Sequence, residues 1–226
     1  MLAIGLEWCG ILKLQYERPQ HWEIQIVSLV LTLVFLYKSS QLLILKNDIL
    51  TDVMDDVYED GLTGLKNVRF IDDSMSNRFD YKTNNIMNIA FIDIDNFKQF
   101  NTLYGHAIGD AVLKHIANIF LKYIAYVPHT YAIRNGGDEF MIVSRTMSSV
   151  DFVALLEKMR TEIYDMHPDF LPDTERISIS IGIANKVYDR KCKSFKELCH
   201  VADSRNQIAK TSGKNKIVST SERLEL

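Results

Sequence analysis

The segment Arg134–Phe140, RNGGDEF, sets two glycines between two apolar runs and follows the glycines directly with two acidic residues. The runs HTYAI (129–133) and FMIV (140–143) on either side are typical of β-strands. Two glycines between strands predict a tight antiparallel hairpin, because its tip needs positive φ angles that glycine adopts freely. The hairpin does not explain Asp138 and Glu139, since adjacent carboxylates repel each other and are uncommon in strands. These acids are either a solvated turn or part of a site.

A second pair of acids ends another apolar strand, in the stretch AFIDIDNFK (90–98). Side chains alternate along a strand, so Asp93 and Asp95 point to the same face, or the strand ends between them. A buried carboxylate is costly unless it is paired or holds a cation. If the hairpin lies beside this strand, the four acids provide the oxygen ligands that Mg²⁺ prefers, and such a cation can activate a hydroxyl and clamp a phosphoryl group. The alternative is that the second pair simply ends a strand in solvent.

Other residues could bind the remainder of a nucleotide. Lys98, Lys210 and Lys214 are point charges suited to phosphate, although each one alone is also an ordinary surface lysine. Asn101 and Asp110 could recognise a base edge. An aspartate accepts hydrogen bonds from the ring N–H and the exocyclic amine of guanine, a pair of donors that adenine lacks.

The order of elements predicts an α/β fold. After the strand that ends in Asp93 and Asp95, a turn and then a helix from about Ala107 are expected. The hairpin is followed by an amphipathic helix over 149–166 and a strand over 176–184. A helix over 194–213 ends at a glycine, and a last strand covers 214–218. Because the hairpin forces an antiparallel pair, we expect a central, mainly antiparallel sheet wrapped by helices.

The composition disfavours some classes of protein. With 226 residues, 47% of them apolar and 24% charged, the chain suits one domain plus an extension. A net charge of −3 argues against nucleic-acid binding through phosphate neutralisation, so no nucleic-acid partner is expected. The three cysteines, Cys9, Cys192 and Cys199, show neither metal-ligand spacing nor a disulfide framework, and they fit buried positions in a reducing compartment.

The N-terminal part of the chain is far more apolar than the rest. Ile24–Tyr37 carries no charge, and an extension to Leu45 gives a stretch long enough to cross a membrane if Lys38 lies near one interface. A further apolar patch over 1–14 could be a re-entrant piece or a degenerate span. The alternative is a soluble helix whose apolar face packs against a partner chain.

A short heptad pattern follows the apolar stretch. Leu36, Leu43, Leu50 and Val57 are spaced seven residues apart, and Val53 occupies an intervening d position, whereas Ser39 and Lys46 interrupt the other d positions. A helix that links a membrane segment to a domain and pairs two chains would show such a short heptad. We therefore divide the chain into an N-terminal apolar, membrane-anchoring region (1–46), a linker helix (47–60) and a globular domain (61–226).

The globular part resembles the GGDEF domain of diguanylate cyclases, which convert two GTP molecules into cyclic di-GMP and pyrophosphate. Six motifs occur in the family's order: DGLTGLKN (60–67), DIDNFKQFN (93–101), YGHAIGD (104–110), RNGGDEF (134–140), SISIGIA (178–184) and ADSRNQIAKTSGKN (202–215). The resemblance implies a palm-like sheet wrapped by helices and one GTP per domain. It also implies catalysis in a homodimer, in which each GTP attacks the other across the interface.

The resemblance also implies roles for single residues. A divalent cation, Mg²⁺ or Mn²⁺, would be bound by Asp93, the backbone carbonyl of Ile94, and Asp138. Asp138 and Glu139 would be the catalytic acids at the hairpin tip, with Asp138 aiding deprotonation of the attacking 3′-hydroxyl. Asn101 and Asp110 would bind guanine. The triphosphate would be bound by Lys98, Lys210, Lys214 and the backbone N–H groups of Asn96 and Phe97.

The chain departs from the family pattern in several places. Thr102 stands where the family usually has aspartate, and Lys214 stands where it usually has arginine. Residues 204–207 are more polar than usual, and Val68 replaces an arginine. Val127–Thr130 replaces the Arg-x-x-Asp motif of the inhibitory site in many members, so no inhibitory site for the product is expected.

Two functions remain open from the sequence. The first is a Mg²⁺-dependent diguanylate cyclase at the inner (cytoplasmic) membrane with its catalytic domain in the cytoplasm, or, alternatively, a cytoplasmic enzyme. The second is a catalytically weak or inactive domain that acts as a GTP-binding or protein-interaction module. The intact acidic hairpin favours the enzyme, and the polar 204–207 stretch slightly favours the module.

Overall fold

The computed structural model describes residues 22–71, 86–172 and 175–219, with side chains over 48–56 excepted. The chain divides into two compact units after Asp55. Helix α1 covers Trp22–Tyr58. Its residues up to Asp55 are the described part of the first unit, and its last three residues belong to the second unit. The expected apolar helix and linker helix are thus one uninterrupted helix of 37 residues. The apolar patch over 1–14 and Cys9 lie outside the described residues.

The first unit is long and apolar enough to cross a membrane. Its apolar part, Trp22–Asn47, covers 26 residues, and none of its most apolar window is buried against protein. Leu36 and Leu43 of the heptad are exposed, whereas the side chain of Leu50 lies outside the described set. The helix therefore offers an apolar surface that no other described part of the chain covers.

The second unit is a six-stranded sheet with helices on both faces. Its elements are β1 (Lys66–Asn67), α2 (Val68–Phe70), β2 (Asn88–Ile94), α3 (Phe97–Tyr104), α4 (His106–Ile124), β3 (Thr130–Gly136), β4 (Glu139–Ser144), α5 (Ser149–Asp165), β5 (Ile179–Asn185), α6 (Phe195–Thr211) and β6 (Ile217–Val218). The strand order is β1-β3-β4-β2-β5-β6. The three central pairings are antiparallel and the two edge pairings are parallel, which confirms the mainly antiparallel sheet.

The RNGGDEF hairpin joins β3 and β4 as predicted. Its register shifts between Arg134 and Gly136, which is a bulge at the tip. Gly136 and Gly137 both have positive φ, at 144° and 54°, so the turn uses both glycines. The turn thereby places Asp138 and Glu139, which follow the two glycines, beside the end of the neighbouring strand β2.

Two apolar clusters sandwich the sheet. One cluster joins the strands to α4 and α5 through side chains such as Ile92, Phe120 and Phe140. The other joins the opposite face to α6. There Gly182 is required, because a Cβ on it would lie 2.1 Å from the carbonyl oxygen of Ala202 in α6. The sheet and α6 are therefore in backbone contact at this point.

Three local expectations were tested by the structure. The helix expected from about Ala107 begins at His106, but the preceding segment is not a simple turn, since it forms the eight-residue helix α3. Gly213 has a φ of 117° and follows the last turn of α6, where Lys214 N–H donates to Ala209 O at 3.0 Å, as expected of a helix-ending glycine. Cys192 is buried and Cys199 is half-buried, and both are free thiols.

Candidate active site

The predicted acids meet at the carboxyl end of β2. Asp93 lies directly opposite Glu139 of β4, so both side chains point to the same face of the sheet. Asp138 occupies the hairpin turn, and its carbonyl oxygen accepts a hydrogen bond from the Ile94 N–H at 3.4 Å. The hairpin is thus attached to the strand that carries Asp93.

Asp93 is a buried carboxylate that is paired with a lysine of α6. Its side chain pairs with Lys210 Nζ of α6 at 2.6 Å, and the residue is only 7% exposed. Burial raises the pKa of Asp93 to about 6; Lys210 opposes this rise, while the charges of Asp138 and Glu139 add to it. The site therefore carries an unfavourable negative charge that a further cation would relieve.

The donor set fits a divalent cation of the Mg²⁺ type. Among the described residues, no group of three or more His, Cys, Asp or Glu side chains is placed to hold a metal ion. Mg²⁺ does not need such a group, because it is usually bound through one or two carboxylates together with water and substrate phosphates. The carboxylates of Asp93 and Asp138, with the Ile94 carbonyl, match that requirement.

Asp95 is not a fourth member of the acidic group. β2 ends at Ile94, and the Asp95 carboxylate accepts hydrogen bonds from the hydroxyl groups of Ser178 and Ser180 near β5. The alternative that the strand ends between the two aspartates is therefore correct. Asp93 points toward Lys210, whereas Asp95 connects the strand end to its neighbours.

The predicted phosphate-binding groups lie around the same strand end. Asn96, with a left-handed φ of 59°, precedes Phe97, the first residue of α3, and Lys98 is exposed in the first turn of that helix. Lys214, in the loop after α6, donates to Asn96 Oδ1. Together with Lys210, this places two lysines beside the end of β2 and leaves Lys98 facing solvent.

The predicted guanine readers are carried by α3 and α4. Asn101 packs against Gly109 so closely that a Cβ on Gly109 would lie 1.9 Å from Asn101 Oδ1. Within the described residues, Asn101 Oδ1 is a buried polar atom with no hydrogen-bond partner. Asp110 follows Gly109 directly and is exposed. Asn101 and Asp110, the two residues expected to bind guanine, are thus neighbours. The Oδ1 atom of Asn101 is a buried acceptor without a partner among the described residues.

Arg134, the first residue of the hairpin motif, has a structural role that the sequence did not reveal. Its guanidinium donates to the Gly137 carbonyl at 2.8 and 3.1 Å and to Asp60 Oδ1 at 3.0 Å. Asp60 also accepts from the N–H and the hydroxyl of Thr63. Burial raises the pKa of Asp60, but the hydrogen bonds from Thr63 and Arg134 outweigh it and leave that pKa below its usual value. These bonds join the hairpin tip to the opening motif DGLTGLKN.

Two residues of the polar stretch of α6, Arg205 and Asn206, face the sheet and hold the helix there, whereas Ser204 and Gln207 are exposed. Arg205 pairs with Asp189 through its two terminal guanidinium nitrogens, at 2.7 and 2.8 Å, and it also donates to the Ile183 carbonyl. Asn206 is 1% exposed and donates to the carbonyl groups of Phe91 and Ser180. Arg205 and Asn206 are therefore satisfied structural contacts, so their polarity does not weaken the enzyme interpretation.

The segment that replaces the inhibitory motif has no charged pair of its own. His129 adopts a φ of 52°, and Thr130 is buried with its hydroxyl donating to Ser144 Oγ at 2.8 Å. Val127 and Pro128 supply no side-chain hydrogen-bonding group. The absence of an inhibitory site stays a prediction.

A mainly antiparallel sheet with an acidic hairpin at the end of a central strand defines a palm-like class of α/β domain. Residues 57–216 match the family described as "Diguanylate cyclase, GGDEF domain". The chain belongs to this GGDEF family, as its motifs predicted.

The chain is also similar to curated proteins whose role is not known. It is 35% identical over 164 residues to an uncharacterized membrane protein of Staphylococcus saprophyticus, covering 70% of this chain and 45% of the relative. A counterpart from Staphylococcus haemolyticus is 36% identical over 169 residues, covering 73% and 46%. The chain thus spans less than half the length of these relatives, and both are named as membrane proteins.

Solved structures support the fold. The coiled coil and GGDEF domain of DgcB from Caulobacter crescentus, in complex with c-di-GMP, matches with a TM-score of 0.69 at 25% identity. The match covers 83% of this chain and 98% of that one. The active GGEEF domain of a diguanylate cyclase from Vibrio cholerae matches with a TM-score of 0.54 at 29% identity, over 60% and 83% of the two chains.

Proposed function

We propose that this protein is a diguanylate cyclase that condenses two GTP molecules into cyclic di-GMP and releases two pyrophosphates. The observation that carries the proposal is the convergence of Asp93, Asp138 and Glu139 with Lys210 at one strand end. Membership of the GGDEF family supports it, as does the likeness to DgcB, which was solved with c-di-GMP.

The hairpin acids would act on the attacking hydroxyl. Asp138 would take the proton of the 3′-hydroxyl as it attacks the α-phosphate of the other GTP, and Glu139 would maintain the negative field at the tip. Asp93, Asp138 and the Ile94 carbonyl would hold Mg²⁺ or Mn²⁺, which when bound polarises phosphate oxygens and lowers the pKa of a bound hydroxyl.

The basic groups would hold the triphosphate. Lys98, Lys210 and Lys214 would neutralise its charge, and the backbone N–H groups of Asn96 and Phe97 at the start of α3 would donate to its oxygens. Asn101 would offer its unused Oδ1, and Asp110 its carboxylate, to the donors on the guanine edge. This pairing favours GTP over ATP, because adenine lacks the matching donors.

The reaction needs two domains, since each would contribute one GTP. A homodimer through α1 would supply the second site at high effective concentration, consistent with the exposed apolar face of that helix. We further propose that residues 1–46 anchor the chain in the inner membrane, that 47–60 link it to the domain 61–226, and that this domain lies in the cytoplasm, where GTP is available. The alternative is a cytoplasmic dimer in which the apolar helices cover each other.

One observation favours a second candidate, a weakly active GTP-binding or protein-interaction module. The hydroxyl of Thr102, which stands where the family usually has aspartate, donates to the Lys98 carbonyl at 2.9 Å within its own helix. It therefore gives no substitute for the missing carboxylate.

The test is a product assay on the full chain in detergent micelles with GTP and Mg²⁺. The account expects cyclic di-GMP and pyrophosphate from the wild type, a loss of at least about 100-fold in Asp138→Ala, and little product from ATP. GTP binding without product at any protein concentration would favour the module. Equal use of ATP and GTP would contradict the roles of Asn101 and Asp110.

A further inference from the structure

Asp95 connects three parts of the site although the proposed chemistry gives it no role. Its Oδ2 accepts from Ser178 Oγ at 2.7 Å, and its Oδ1 accepts from Ser180 Oγ at 2.6 Å. Its Oδ2 also accepts from the backbone N–H of Asn215 at 3.0 Å. The Asp95 carboxylate thus connects the end of β2, through hydrogen bonds, to β5 and to the loop Gly213–Asn215. We name this loop the closing loop.

Arg160 of α5 holds the same loop. Its NH1 group donates to the side-chain oxygen of Asn215 at 2.6 Å and to the Asn215 carbonyl at 3.3 Å. Glu157, one turn earlier in α5, fixes the guanidinium by accepting from its Nε at 2.9 Å. Asn215 is therefore bound through its N–H, its carbonyl and its side chain.

These contacts stabilise an unusual backbone. Lys214 and Asn215 have φ angles of 61° and 46°, a left-handed conformation that asparagine tolerates but that lysine adopts rarely and at a cost. The contacts of Asp95 and Arg160 to Asn215 compensate the cost at the neighbouring Lys214. This backbone carries the Lys214 ammonium to Asn96, at the start of α3.

We propose that Asp95 and Arg160 are positioning residues for the triphosphate, acting through Lys214. They lock the closing loop so that Lys214 reaches the phosphates beside the N–H groups of Asn96 and Phe97. A lysine is a flexible point charge with no planar fork to orient it, so its placement depends on the backbone more than that of an arginine would. This inference rests on the proposed function, because it names the groups that place part of the GTP site.

A double-mutant cycle on GTP affinity tests the proposal in the full chain. The dissociation constant of Mg²⁺–GTP is measured for wild type, Asp95→Ala, Lys214→Ala and the double variant. Each single change should weaken binding about tenfold, the size expected of one charge-assisted interaction. The double variant should be no weaker than Lys214→Ala alone by more than about twofold, since both changes remove the same interaction.

Arg160→Met is a second variant that tests the same loop if Asp95→Ala does not fold. It removes the contact to Asn215 from α5 and leaves every hydrogen bond of Asp95 in place. Its effect on GTP affinity should likewise disappear in the Lys214→Ala background.

Glu162→Ala is the matched control for a purely structural loss. Glu162 is also a carboxylate that accepts three hydrogen bonds, from Lys122 and Tyr123, but it lies between α4 and α5 away from the closing loop. This change should lower the melting temperature without altering GTP affinity.

The outcomes separate this inference from the proposed function. Additive losses in the cycle, or a loss in Glu162→Ala as large as in Asp95→Ala, would overturn the positioning role. If the wild type binds GTP but makes no product, the cyclase proposal is wrong, but the double-mutant cycle on GTP affinity still tests the positioning role. A wild type that binds no GTP overturns both.

Discussion

At the scale of single residues, Asp93 places a carboxylate where burial opposes its charge. Its pKa of about 6 lies above the usual value of 3.8, so the folded chain holds this proton more tightly than the unfolded chain does. The contribution of this group to folding stability is therefore fully present below the unfolded value of 3.8 and is lost as the pH rises through about 6. At neutral pH the Asp93 carboxylate is thus charged although its burial disfavours the charge.

Asp93→Asn should stabilise the domain at neutral pH while it abolishes cyclase activity. The amide removes the cost of charge, which at pH 8 is on the order of 2 kcal/mol, or roughly 5 °C in melting temperature for a domain of this size. The stabilisation should shrink toward pH 4, where the wild-type carboxyl is protonated. Melting followed by near-UV circular dichroism at pH 4.5 and pH 8 measures the difference, and a shift that is the same at both pH values would contradict the assignment.

The sequence predicted the acids but not all of their roles. Asp93 and Glu139 were expected to meet, and the register of β2 and β4 puts them opposite each other. Asp95 could not be assigned, because alternation along a strand holds only while the strand continues, and β2 ends at Ile94. Arg134 gave no signal either, since its partner Asp60 lies 74 residues away along the chain.

At the scale of elements, the hairpin and the long helices could be predicted because their signals are local. Glycine pairs mark a turn, and apolar spacing marks a helix. Helix α3 was missed because it has only eight residues, and Asn101, Thr102 and Gly105 looked like turn residues. The polar stretch of α6 was interpreted as a departure from the family pattern, yet Arg205 and Asn206 donate to carbonyl groups of β5 that only the folded sheet brings near.

Gly182→Ala should strongly destabilise the domain because α6 lies against β5 at that residue. The added Cβ would meet the Ala202 carbonyl and the Asn206 nitrogen at 2.1 Å, and neither backbone atom can move without shifting the helix. The expected loss is about 3 kcal/mol. Gly61→Ala is the control, since nothing lies within 4 Å of its Cβ position, and equal melting temperatures for the two variants would contradict this packing.

At the scale of the whole molecule, the account links an apolar helix to a reaction that needs two domains. A single domain would hold one GTP, so turnover depends on how often a second domain is in place. Leu36 and Leu43 are exposed on α1 and lie on the predicted heptad, where they would face a partner helix.

Leu43→Glu should therefore lower the specific activity of dilute protein, by about tenfold, with recovery as the protein concentration rises. Leu42→Glu is the matched control, because Leu42 is the neighbouring exposed leucine and lies off the heptad positions. Activity and sedimentation measured across protein concentrations in detergent give the comparison. Equal losses in the two variants would show that the helix does not pair along this heptad.

Conversion of GTP by the full-length chain with Mg²⁺, with Asp138→Ala and Leu43→Glu assayed beside it, tests directly whether the acidic hairpin is catalytic. We expect cyclic di-GMP and pyrophosphate from the wild type and a loss of at least about 100-fold in Asp138→Ala at every protein concentration. We expect product from Leu43→Glu only when the protein is concentrated. A folded, GTP-binding wild type that makes no cyclic di-GMP at high concentration would contradict the claim that this acidic hairpin is catalytic.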